Sequence, residues 1–229
     1  MSTSTEVQRT GGPVPLPVAS PTTYVLPTAI LMLGVALLVV SIFLPYWSLT
    51  LHAPQYPGGL SVELYVNRLT GDVDEIDELN HYIGMREMRE AAQTERSFSV
   101  LAIGTLGLLL MAAVFIQSRW AALLALPAVV YPLVFLADLY FWLYRFGHTL
   151  DPHAALSTSI KPFTPVLLGE GRVGQFTTTA GLEPGYLLAV LGAATVVIGL
   201  YFHRRAYKPL YDARHLAHPA AGAGDERRP

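Results

Sequence analysis

The 229-residue sequence contains no cysteine. That single absence excludes disulfides, thiolate metal sites, covalently attached c-type haem and cysteine nucleophiles. Charge is the second scarcity: Asp, Glu, Lys and Arg together make up 14% of the chain, against about 25% in ordinary soluble domains. With 52% hydrophobic residues, a chain this poor in charge reads as a membrane protein. The formal net charge is −2, so no basic surface points to nucleic acid and none is expected as a partner. Also missing are a G-x-S-x-G elbow, a phosphate loop, a dinucleotide fingerprint, an H-E-x-x-H pair and a kinase signature. The chain is therefore read as a non-enzyme. Polar residues inside the apolar stretches are few (Thr28, Ser41, Ser99, Thr105 and Thr195 among them), and no internal repeat is visible, which argues against a transporter.

What is abundant is apolar sequence in long runs. A helix that crosses a bilayer needs about 20 apolar residues. Four segments meet that requirement, at 24–46, 98–117, 120–144 and 186–203. Tyr24, Tyr46, Trp47, Phe98, Trp120, Trp142, Tyr144, Tyr186 and Tyr201 stand at their ends, where interfacial aromatics belong. The first run is too long, and its approach too polar, for a cleaved signal peptide. Only a short turn at Arg119 joins the second and third runs, which puts the long loops 47–97 and 145–185 on one side. Arg119, Arg204, Arg205, Lys208 and Arg214 lie on the other, and the first loop holds nine Asp/Glu against four Arg. Positive charge marks the cytoplasmic side. The expectation is an all-α integral membrane protein with four transmembrane helices, multi-pass in a cytoplasmic membrane, its termini inside and its chief partner the lipid bilayer. Residues 1–23 are expected as a disordered tail, 24–203 as the membrane domain and 204–229 as a basic tail, with His203, Arg204 and Arg205 anchoring to anionic headgroups.

The two loops are long enough to form a small outer cap of a short hairpin and a helix. Leu60, Val62, Leu64 and Val66 alternate with polar residues, as in a strand. Asp72 and Glu75 make a capping box, which predicts a helix start near Val73. From there Ile76, Leu79 and Ile83 form one apolar stripe, and His81, Met85 and Met88, at i, i+4 and i+7, a second. Arg86 and Glu90 are placed to pair on the same helix. The second loop, with its many Gly and Pro, reads as irregular.

Imidazole and thioether are ligands for soft Cu(I), so His81, Met85 and Met88 form a candidate metal site, with His148 and His153 as possible completions from the facing loop. The alternative is that the methionines are apolar filler and His81 an ordinary surface residue. His148, Asp151 and His153 have H-x-x-D-x-H spacing, which suits either a metal or a turn begun by Asp151-Pro152. Asp138 is a carboxylate within a predicted span and so a functional candidate, or a structural acid bonded to a neighbouring tyrosine. The only span histidine is His203, at an end, so no b-type haem is expected.

Ala53-Pro54-Gln55-Tyr56-Pro57, the heptapeptide Leu79 to Met85, and His148 with Leu150-Asp151-Pro152-His153 together resemble a family of small multi-helix membrane proteins encoded in bacterial nitrous-oxide-reductase gene clusters. The resemblance covers most of residues 44–185. It implies a role outside the cytoplasmic membrane in copper supply to, or maturation of, a copper enzyme, alongside other membrane or periplasmic proteins. The chain departs from the family at 161–166, where the family is richer in Pro and Tyr. The rival expectation is a structural or assembly subunit of a membrane respiratory complex that binds no metal.

Overall fold

The computed structural model describes residues 22–116, 120–156, 158–173 and 176–222, with side chains from Val25 to Tyr207. The chain is not all-α. A five-stranded antiparallel sheet, order β3-β2-β1-β5-β4, stands at one end of the helices, and this overturns the expectation of an all-α protein of four membrane helices. The elements in chain order are α1 (Thr22–Ser41), β1 (Trp47–Ala53), β2 (Tyr56–Leu64), β3 (Leu69–Gly71), α2 (Val73–Ile83), α3 (Gln93–Phe115), α4 (Trp120–His148), β4 (Gly169–Val173), β5 (Phe176–Leu182) and α5 (Pro184–Gly222).

Among the described residues, three helices are long and apolar enough to cross a membrane: α3, α4 and the Pro184–Tyr207 part of α5. The apolar stretch of α1, Val25–Ser41, is shorter. Chain that was expected to extend the first span instead leaves the helix at Ser41 and enters β1 at Trp47. At the other end, α5 runs past 203 as far as Gly222. Of the expected N-terminal tail, 1–21 lie outside the described residues, as do Arg119 and residues from 223 onward.

The apolar stretches of α1, α3, α4 and α5 are apolar all round. Leu31, Leu38, Ile103, Leu110, Ala189 and Val196 are buried where they meet, while Leu101, Leu133 and Leu187 point outward and exposed. That distribution suits a bilayer, which rewards apolar surface on both sides of a helix. Gly34 and Gly192 face each other across the α1–α5 crossing, and a Cβ on Gly34 would lie 2.7 Å from Val196. Small residues at such crossings let helix backbones approach. A Cβ on Gly107 would lie 3.6 Å from Val35, whereas one on Gly104 would meet nothing within 4 Å. His203 is buried rather than serving as a lipid anchor, its Nε2 3.2 Å from the Val114 carbonyl. That carbonyl is in the last turn of α3, where the helix itself offers no donor.

The sheet forms because its strands alternate. Trp47, Leu49, Leu51 and Ala53 of β1 are buried, as are Phe176, Thr178 and Ala180 of β5, while their neighbours are not. Antiparallel register sets Leu49 between Val62 and Ala180, giving the sheet one apolar face and one polar face. Pairing of β1 with β5 makes the two long loops a single cap, so they do share one side. Tyr46 fastens cap to helices. Its N–H donates to Leu64 O at 2.7 Å and its carbonyl accepts from the Glu183 N–H. Its hydroxyl lies 2.7 Å from Ser41 Oγ. Ser41 spends its own proton on Leu38 O, and Tyr131 donates to Tyr46, so the protons run Tyr131 to Tyr46 to Ser41 to Leu38.

Candidate functional site

Helix α2 begins at Val73 as its capping signal predicts, but the capping box does not form. Asp72 turns its Oδ2 to the Ser61 N–H on β2 at 2.8 Å, so its side chain makes no bond to its own helix, although its carbonyl accepts the Ile76 N–H. Val73 and Ile76 are buried, with Leu79 half-buried, against Leu60 and Val62 of β2, and Ile83 is buried one turn further on. The first stripe is therefore the face on which the helix packs.

The second stripe does not exist as a stripe. Gly84 is left-handed, at φ 80°, and ends the helix. Met85 and Met88 therefore leave the α2 face that carries His81, and the helical i, i+4, i+7 spacing does not hold. The expected Arg86–Glu90 helix pair is likewise off the helix; instead Arg89 pairs with Asp74. Met88 opens a single 3₁₀ turn, Met88–Glu90, and packs its side chain into the apolar clusters beneath the sheet. Its N–H donates to Asp77 Oδ1 at 2.6 Å.

The facing loop closes on this corner. The Asp151 N–H donates to Gly84 O at 2.8 Å and the Leu156 N–H to Tyr82 O at 3.0 Å. A Cβ on Gly84 would meet the Asp151 backbone at 2.8 and 2.9 Å, so glycine is required there both by φ and by space. The result is an exposed polar depression of about 340 Å³ bordered by His81, Met85, Arg86, Glu87, Glu90 and Asp151. The His153 N–H donates to Asp151 Oδ1 at 2.9 Å and holds that carboxyl below the usual carboxylate range, an effect to which the His153 and His81 imidazoles add. His153 Nδ1 lies 3.3 Å from the same oxygen and is almost wholly in solvent. His148 is the last residue of α4, stacked at 4.0 Å on Tyr144 with Nδ1 2.9 Å from its carbonyl. Of the candidates, then, His81 and Met85 border one depression with Asp151 and neighbouring His153, while Met88 and His148 lie elsewhere. Among the described residues, no three His, Asp or Glu side chains converge as a metal cluster.

On the inner side of the cap is a larger space that the sequence did not announce. A chamber of about 480 Å³ lies between the apolar face of the sheet, α2, the first turns of α3 and the last half of α4. Its walls are almost entirely apolar, and Asp138, Glu95, Arg96, Asn80 and Ser99 supply its polar points. Asp138 was the one signal for it, as a carboxylate in an apolar run. Trp142 is within reach of Asp138, but its Nε1, shut off from solvent, makes no hydrogen bond of normal geometry. Arg96 Nε is also buried without a partner.

No protein-family model matches the chain, and no curated protein matches it.

Proposed function

We propose that the protein is a membrane-embedded accessory factor whose cap faces outward from the bacterial cytoplasmic membrane and handles copper for a respiratory copper enzyme such as nitrous-oxide reductase. The observation that carries this reading is the docking of the second loop on Gly84, which gathers His81, Met85 and Asp151 around one open depression. Imidazole and thioether suit Cu(I), and Glu87 and Glu90 at the rim add the negative charge that draws cations. An exposed site with two soft ligands suits passing an ion on rather than storing it. His81 and Met85 are the ligands in this proposal and His153 the nearest third; Met88 and His148 are not part of it. The outward orientation is supported by Arg204 and Arg205 at the far end of α5 from the sheet.

Cu(I) titration of the purified full chain against a competing chelator tests it. The His81→Ala, Met85→Ala double variant is expected to lose at least about tenfold in affinity, as when a metal loses first ligands or their supports, while His148→Ala is unchanged. Equal affinity in the double variant and the parent overturns the ligand assignment.

The assembly-subunit reading has one observation in its favour. Tyr82, 56% exposed beside His81 on the open surface of the cap, is the residue type that anchors protein interfaces. A parent protein that binds no copper, but co-purifies with a larger membrane complex until Tyr82 is changed to Ala, would favour it.

A further inference from the structure

The inner chamber has the features of a binding site, and they are independent of the copper reading. Its volume, about 480 Å³, falls within the roughly 300–1,000 Å³ typical of small-molecule pockets. Packed protein interiors keep few voids larger than a water molecule, so an apolar space of this size beneath the apolar face of the sheet calls for an occupant. Phe98 and Val134, both lining it, are exposed, which sets its mouth between the first turns of α3 and the last half of α4. Both helices are long and apolar enough to cross a membrane, so the mouth opens where the bilayer meets the cap.

The polar points describe the head of that occupant. Arg96 Nε is a buried donor with no acceptor, and Trp142 Nε1, though near Asp138, makes no hydrogen bond of normal geometry; an unmet buried donor is costly. Arg96 brings one positive charge, but Glu95 and Asp138 line the same chamber and bring two negative ones. An anionic head would meet net repulsion there, and a cationic head would leave both donors unmet. What fits is a head that accepts hydrogen bonds and carries no charge.

We propose that the chamber binds a neutral, carbonyl-bearing lipophile drawn from the bilayer, its carbonyl accepting from Trp142 and Arg96 and its apolar part lying along Leu49, Phe135 and Leu139. Two sources in a membrane share this chemistry: the ring carbonyl of a quinone and the ester carbonyl of a glycerolipid.

The chain's three tryptophans make binding readable. Trp47 and Trp142 line the chamber, so a Trp120→Phe background leaves only reporters that touch it. Full-length protein in nanodiscs is titrated with decyl-benzoquinone, and in parallel the detergent-purified chain is extracted and its lipids identified by mass spectrometry. Saturable quenching assigns the quinone; retention of one glycerolipid per chain assigns the ester. In either arm Ala102→Phe, which fills the wall, is expected to abolish binding. Trp142→Phe, which keeps the ring and loses the N–H, is expected to weaken it by roughly threefold to tenfold, the range of a single hydrogen bond. An unchanged circular dichroism spectrum shows that each variant folds. The absence of both saturable quenching and a retained lipid overturns the proposal, as does binding that Ala102→Phe leaves intact. Binding that Trp142→Phe leaves at parental strength overturns the assigned head position.

Discussion

Ten residues, Leu79 to Met88, contribute to both faces of the cap, and the two faces have opposite chemistry. Outside, His81, Arg86 and Glu87 border a wet depression. Inside, Leu79, Asn80, Ile83 and Met88 line the apolar chamber. Met85 touches both. The division is made by backbone rather than composition. While the chain is helical it shows one apolar stripe to the sheet; at Gly84 it turns left-handed, and the residues beyond no longer follow the helical period. A short segment can therefore serve a polar surface and an apolar cavity at once, provided one residue breaks the period between them.

The strongest way to break that contrast is to remove the packing that holds α2 on the sheet. Ile76 is 2% exposed and belongs to the cluster of Leu60, Val62 and Val73. Ile76→Ala is expected to cost about 2–5 kcal/mol, the range for deleting a large buried aliphatic. Tyr82→Ala, on the open side of the same helix, should lie within about 0.5 kcal/mol of the parent. Denaturant unfolding followed in the cap distinguishes them, and equal losses would mean that the two faces are not separate.

A smaller loss is expected from Gly84→Val. The branched side chain is strained at φ 80° and would collide with the Asp151 backbone, at a cost of about 2–3 kcal/mol. The effect should be local. Hydrogen exchange should speed up at the Asp151 and Leu156 amides, which donate to Gly84 and Tyr82, while the β1–β2 amides keep their protection. Loss of protection throughout the sheet would show that the corner is part of the core.

This contrast also separates what the sequence made legible from what it hid. The apolar runs could be read because length and hydropathy alone identify helices fit for a bilayer, and α3 and α4 fall close to the expected bounds. Alternation at Leu60 and Val62 foretold β2, and Ile76 with Ile83 foretold the packed face of α2. The strand β5 was hidden by its setting. Phe176, Thr178 and Ala180 alternate as a strand should, but they sit in a loop whose glycines and prolines suggested irregular chain. Their partner, β1, lies more than a hundred residues earlier, and no local pattern reports a long-range pairing. The chamber was hidden for the same reason, since its walls come from both loops and two helices. The supposed His81–Met85–Met88 stripe failed on a local signal that was present: Gly84 stands where a helix commonly ends, directly after its last apolar contact.

The finest test concerns how the second loop holds to this corner, and it depends on pH. Asp151 is exposed, yet its carboxyl sits below the usual carboxylate range, chiefly because it accepts the His153 N–H. A carboxyl whose folded pKa is lowered stabilises the fold when ionised. Its contribution is complete above the ordinary aspartate value of about 3.9 and disappears as pH falls through the lower, folded value. The turn at 151–153 should therefore keep its protection at neutral pH and loosen only in acid below about pH 4. Hydrogen exchange at the His153 amide against pH reads this directly. Asp151→Asn can still accept the bond but cannot ionise, so it should flatten the acid limb while leaving exchange at neutral pH only modestly faster. An acid limb that survives Asp151→Asn would assign the pH response to another group and leave the Gly84 backbone contacts as the main hold on the loop.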